Sequence, residues 1–141
     1  PRLALRQLLA AYLQALGMPQ AQVTLRLVGD GVCRSLNRRF RGVDSATDIL
    51  SFPSLEGRPP RSFDGYLGDL ALCLPYAWRK RGRFDPNFGG EAAFLLLHGM
   101  LHLCGQHHDS PAQEARMWRR SRSLKPVSRP FLKALAALRP V

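Results

Sequence analysis

The sequence predicts an α+β fold, a single small domain whose helices pack on one mixed β-sheet. Three observations carry this. Apolar residues recur at helical spacing near the N-terminus, short segments of strand character follow at three places, and strongly helical patterns return after residue 90. At 141 residues there is room for one domain, which buries roughly two thirds of the surface its unfolded chain exposes. No internal repeat and no interdomain linker interrupts it.

Taken in order, residues 2–16 place Leu5, Leu8, Leu9, Tyr12, Leu13 and Leu16 on one helical face, and Gly17 and Pro19 stop the helix. Val23, Leu25 and Leu27 alternate with Thr24 and Arg26, the period of a strand with one buried face. Asp30 is the expected N-cap of a helix running through Val32, Leu36 and Asn37 to about Arg39. Asp48–Phe52 and Leu67–Leu74 are further strands, and the Gly-, Pro- and Ser-rich stretch 53–65 between them is a loop. A helix is expected near 76–81, then a breaker segment over Phe84–Gly90. A helix from about Glu91 to Cys104 and another from about Pro111 to Ser123 complete the domain. Beyond Pro126 and Pro130, Phe131, Leu132, Leu135 and Leu138 again have helical spacing. A short amphipathic helix packed on the domain is favoured there over a partner-binding tail.

Three of the four histidines fall in one motif. His98, His102 and His108 have the form H-x-x-x-H-x-x-G-x-x-H. Residues four apart share a helix face, so His98 and His102 direct two imidazoles at one point. Gly105 can leave the helix in the left-handed conformation that side chains resist, and the turn brings His108 back towards them. A histidine pair alone is often coincidence, but a third at this distance with a glycine at the break is the donor set of a zinc ion with one open position. The expectation is a three-histidine zinc site at the end of a central helix, anchored by the apolar run Phe94–Leu97. Zinc proteases with this spacing place a Glu general base directly after the first histidine. That position is Gly99 here, and no carboxylate lies between His98 and His108, so peptide hydrolysis by that route lacks its base.

These residues resemble the YbeY family of rRNA-maturation endoribonucleases. The family pattern H-G-x-L-H-L-x-G-Y-D-H is similar to His98-Gly99-Met100-Leu101-His102-Leu103-Cys104-Gly105-Gln106-His107-His108. Leu36-Asn37-Arg38-Arg39-Phe40-Arg41-Gly42 resembles L-N-x-x-Y-R-G, Thr47-Asp48-Ile49-Leu50-Ser51-Phe52-Pro53 resembles T-D-V-L-S-F-P, and Leu67–Cys73 is similar to the G-D-I-x-I strand. The departure is Gln106-His107 where the family has Tyr-Asp; Asp109 is the nearest replacement for that acid. The resemblance implies single-strand-specific cleavage of RNA by a zinc-activated water, with one zinc ion on His98, His102 and His108. It implies a role in maturing the 3′ end of small-subunit 16S rRNA and in ribosome quality control, with rRNA and the ribosomal subunit or its proteins as partners. It also implies that Arg41 places a guanidinium fork on the scissile phosphate, where it stabilises charge growing in the transition state. Thr47 and Asp48 are expected to act structurally at the strand entrance, Asp69 at a strand end, and Asn37 on loop backbone. The proton relay is left open between the metal's own water, His107 and Asp109. Residues 1–124 form the expected zinc-dependent endoribonuclease domain and 125–141 a C-terminal extension.

Charge agrees with a polyanionic partner. Lys and Arg number 21 against 10 acidic residues, giving +11 and a pI of about 11.0. The excess is clustered at Arg34, Arg38, Arg39 and Arg41, at Arg79–Arg83, and at Arg116–Arg122. Arginine's forked donors suit phosphate. The three cysteines, Cys33, Cys73 and Cys104, show no pairing framework, and Cys104 is read as a small core residue. No apolar run approaches membrane-spanning length and no signal-peptide pattern is visible, so a cytoplasmic protein without membrane partners is expected. The oligomeric state is not written in the sequence. Two competing readings stand beside the nuclease: a non-catalytic RNA- or ribosome-binding assembly factor with a structural zinc, and a zinc hydrolase of another substrate. The open fourth ligand position argues against the first, because structural zinc is closed by four protein ligands.

Overall fold

The middle strand of the sheet determines where everything else packs. The computed structural model describes residues 1–106 and 109–140. Three strands, β1 (Gln22–Val28), β2 (Ile49–Pro53) and β3 (Tyr66–Cys73), form one sheet in the order β1-β3-β2. β1 lies parallel to β3, with Leu25 opposite Leu70, and β2 lies antiparallel, with Ser51 opposite Leu70. The sheet is therefore mixed, as predicted. β3 is buried along nearly its whole length because both its faces are covered, which explains its almost continuous apolar sequence.

Helix α1 (Arg2–Ala15) and helix α4 (Phe88–Leu103) share the main core with Leu70 and Leu72. Helix α2 (Asp30–Arg41) covers Ala71 and Cys73 on the opposite face, in a smaller cluster with Val28, Cys33 and Leu50. The short α3 (Leu74–Arg79) leaves the end of β3 directly. Helix α5 (Pro111–Leu124) begins at Ser110, whose hydroxyl accepts from the Gln113 N–H at 3.2 Å, and Pro111 takes the first helical position. A 3₁₀ segment, Lys125–Phe131, and a last turn, α6 (Leu132–Leu135), return to the core, where Leu135 and Leu138 are buried beside α4. Tyr12 of α1 donates its buried hydroxyl to the Ala93 carbonyl of α4 at 2.9 Å, which satisfies a polar group that burial would otherwise make costly.

Four local expectations are corrected. Gly29, not Asp30, is the N-cap of α2; Asp30 is already helical and its carboxylate pairs with Arg79 at 2.8 Å. That pairing holds the Asp30 carboxyl below the usual carboxylate range. α2 runs on to Arg41 and stops at Gly42, which adopts φ 72°. α4 starts at Phe88, so Gly89 and Gly90 lie inside it instead of breaking it. They serve close approach: a Cβ on Gly89 would sit 2.6 Å from the Leu132 carbonyl, and one on Gly90 would sit 2.4 Å from the Asp85 carboxylate. Finally, Cys33 and Cys73 form a disulfide, with Cα atoms 6.1 Å apart, joining α2 to β3. Their separation of 40 residues hides in sequence a pairing that the packing of α2 creates. Cys104 is buried, as read from the sequence.

Leu135 is completely buried. Leu135→Ala is expected to lower stability by about 2–5 kcal/mol in a chemical denaturation series; a loss near zero would show that the last segment is not part of the core.

Candidate metal centre

Helix α4 is apolar around most of its circumference, and nearly all its residues are buried. A helix of that kind belongs in a protein interior, not on a surface. His98 and His102 are the half-buried positions on its second half. Their ring centroids are 4.9 Å apart and the rings cross at 75°. Two imidazoles bound to one zinc at about 2.1 Å and a near-tetrahedral angle have ring centres about 5 Å apart. The pair therefore fits a shared ion, on backbone that the core holds rigid.

The end of the helix is built as the sequence predicts. Gly105 has φ 81°, its N–H donates to the His102 carbonyl at 3.0 Å, and the Gln106 N–H donates to the Leu101 carbonyl at 3.1 Å. This double closure ends a helix through a left-handed residue. A Cβ on Gly105 would also meet the backbone of Gly57 at 2.8 Å, so the 54–65 loop packs against the turn. His107 and His108 lie outside the described residues. Among the described residues no group of three His, Cys, Asp or Glu side chains is gathered as a metal site. Burial pushes the Cys104 thiol up to about 11, as expected of a sulfur packed in the core.

Gly99 explains the missing protease base in three dimensions. A Cβ there would lie 2.9 Å from Ile49 Cδ1, 2.9 Å from Leu70 Cδ2 and 3.3 Å from Ser51 Oγ. The helix presses its glycine flat onto β2 and β3, and the Ser51 hydroxyl donates to the Gly99 carbonyl at 3.4 Å. A carboxylate at this position would point into the sheet core. The chemistry of this site has to come from elsewhere than residue 99.

On the α5 side, His98 opens into a small cleft of about 160 Å³ with Glu114 and Trp118. Phe94 stacks within 5.8 Å of Trp118 and 6.4 Å of His98. Neither Glu114 nor Trp118 was singled out from sequence. The only signal was their position in the helix after the motif, which periodicity alone does not aim at His98.

Arg41 is at the last position of α2, exposed, and lines a different cleft, with Arg39, Phe40, Phe52 and Asp69. β2 lies between that cleft and α4, since Ser51 borders the cleft and touches Gly99. Arg38, Arg39 and Arg41 all sit in the final turn, where the helix dipole favours cations. Asn37 is buried and donates from Nδ2 to the Ser45 carbonyl at 2.9 Å, which shapes the loop after α2. Asp48 pairs with Arg83 and accepts from the Ile49 N–H at 2.8 Å, a structural role at the strand entrance. Asp69 accepts from the Tyr66 hydroxyl at 2.6 Å.

A mixed three-stranded sheet carrying a buried helix that ends in two adjacent imidazoles and a glycine turn defines a small α+β protein. The family model described as Endoribonuclease YbeY matches residues 2–126. The chain is 45% identical over 120 residues to Endoribonuclease YbeY of Anaeromyxobacter sp. (strain Fw109-5), covering 85% of this chain and 61% of that protein. It is 40% identical over 111 residues to Endoribonuclease YbeY of Moorella thermoacetica, covering 74% of this chain and 71% of that protein. A solved solution structure from Thermotoga maritima shares the fold, with TM-score 0.64 and 22% identity over 93% of this chain and 85% of that one. The chain belongs to the YbeY family.

Gly99→Ala should change stability by no more than about 1 kcal/mol, since gained helix propensity offsets the crowding of two flexible side-chain ends. Gly99→Glu should cost about 3 kcal/mol or more, because it forces a carboxylate against Ile49 and Leu70. Denaturation midpoints check both; a stable Glu variant would contradict the packing described.

Proposed function

We propose that this chain is a zinc-dependent endoribonuclease that cuts single-stranded RNA, with the ion held by His98, His102 and His108. The observation that carries the reading is the side-by-side placement of the first two imidazoles at the end of a buried helix, closed by the Gly105 turn. Membership of a family whose curated members are named endoribonucleases supports the substrate class. Bound zinc would supply Lewis acidity towards a phosphoryl oxygen and lower the pKa of a water.

The chain's own residues do the rest. α4 holds two of the three imidazoles on rigid backbone, so little reorganisation accompanies metal binding. Arg41 lines the cleft across β2 from the histidines, so it would offer its planar fork to the phosphate of a strand that crosses the β2 edge, and the remaining arginines hold flanking backbone without reading sequence. Part of the charge is spent locally: Arg34 pairs with Asp44, Arg79 with Asp30 and Arg83 with Asp48. Arg38, Arg39 and Arg41, on the last turn of α2, are the group we assign to RNA. A flexible single strand can bring its phosphodiester to a recessed ion where a duplex cannot.

Within this reading the catalytic domain is 1–124, and 125–141 is an extension that completes its core. The physiological substrate is rRNA at the 3′ end of the small subunit, with a part in ribosome quality control and ribosomal components as partners. No helix among the described residues is long and apolar enough to cross a membrane; we place the protein in the cytoplasm. Disulfides are scarce in that reducing compartment, and the Cys33–Cys73 disulfide departs from that pattern.

His98→Ala, His102→Ala and His108→Ala should each lose most bound zinc by elemental analysis, and His107→Ala should retain it. Zinc kept by the His108 variant and lost by the His107 variant would overturn the ligand set. Arg41→Ala should retain zinc and much of the RNA affinity, while single-turnover cleavage falls about a hundredfold or more, the scale of removing one charge-stabilising donor. Arg41→Lys should rescue poorly, because an ammonium lacks the two-pronged contact. Equal losses in binding and cleavage would demote Arg41 to a backbone contact.

A further inference from the structure

The sheet face crossed by α2 is only half covered. Cys33 and its neighbours close one half, and beyond them the face opens into a groove of about 740 Å³. Arg26, Phe52 and Asp69 form its floor, and Arg39, Phe40 and Arg41 its wall. Phe40 is 57% exposed although it is among the largest apolar side chains in the molecule. It meets Phe52 edge to face, with centroids 5.1 Å apart, and the Arg39 guanidinium lies 5.4 Å from its centre. The single carboxylate lining the groove, Asp69, already accepts a hydrogen bond from Tyr66 at 2.6 Å. Two aromatic rings stand among three arginines on this surface, and the acid beside them is engaged by Tyr66.

We propose that this groove is a base-stacking subsite for single-stranded RNA. It rests on the nuclease reading above and adds how the strand is held away from the metal. Unstacked bases of a single strand lay their flat faces on aromatic rings or on arginine planes, while neighbouring phosphates take the guanidinium forks. A duplex keeps its bases stacked internally and cannot use Phe40 in this way. The path to the histidines is short in topology. Phe52 faces the groove, whereas the preceding residue, Ser51, points through to the other face and touches the carbonyl of Gly99, the neighbour of His98. β2 is a sheet edge, so a strand stacked on Phe52 passes over that edge towards α4.

The test uses chelator-treated protein, so that neither metal nor cleavage enters. Fluorescence anisotropy compares a short oligoadenylate with an abasic strand of equal length and charge. Wild type should bind the base-bearing strand about tenfold tighter, the contribution of one stacked base. Phe40→Ala should bring that ratio near one without changing affinity for the abasic strand, and Phe40→Tyr should preserve the ratio. A ratio of one in wild type, or a preference untouched by Phe40→Ala, would overturn the subsite. So would a polyglutamate competitor that displaces oligoadenylate as effectively as unlabelled oligoadenylate does, because the groove would then be an acidic-peptide site. None of these outcomes bears on zinc content or on cleavage by the loaded enzyme, so the nuclease reading stands or falls separately.

Discussion

Helix α4 is buried on almost every side, and the rest of the molecule is arranged around that burial. β2 and β3 lie against one side of it, α1 is tied to it through Tyr12, and α5 and the last turn of the chain close the remaining sides. Such contact requires bare backbone at Gly89, where a Cβ would meet the Leu132 carbonyl, and leaves little room at Gly99, where it would crowd the side-chain ends of Ile49 and Leu70. The consequence for the site is direct. His98 and His102 are the polar groups on the second half of an otherwise apolar rod, and they are held where it begins to leave the core. Two imidazoles placed this way sit on rigid backbone. The same pressing of α4 onto the sheet explains why residue 99 cannot carry a catalytic carboxylate.

The two faces of the sheet divide the labour. One face carries the core and the helix with the histidines. The other carries α2, with its arginine-rich last turn and a groove that ends in exposed aromatic rings. Edge strand β2 belongs to both, since Ser51 and Phe52 point to opposite sides. Ion pairs such as Arg34–Asp44 and Arg79–Asp30 sit on exposed surface, where solvent screens them and their contribution to stability is small. In our reading the functional weight of the basic surface falls on the arginine-rich last turn of α2.

Much of this was legible in the sequence, because it follows from local periodicity. The helical spacing of Leu5 to Leu16, the alternation of Val23 to Leu27 and the Gly105 break all appear in the structure near their expected places. What was not legible depends on contacts between distant segments. Gly89 and Gly90 read as breakers, because nothing local reveals that Leu132 and Asp85 will press against them. Asp30 read as a cap although Arg79 draws it into an ion pair instead. The Cys33–Cys73 bond follows only once α2 is laid on β3. At the site itself, spacing gave the His98–His102 pair, but the side of α4 that meets Glu114 and Trp118 is set by the packing of α5.

X-ray absorption at the zinc edge of the purified protein distinguishes an imidazole ligand shell from one that includes sulfur. One zinc per chain is expected, with three imidazole nitrogens and one light oxygen donor at about 2.0–2.1 Å, and no sulfur. A shell at about 2.3 Å would bring a cysteine into the site and contradict it. So would a protein that reconstitutes no zinc at all.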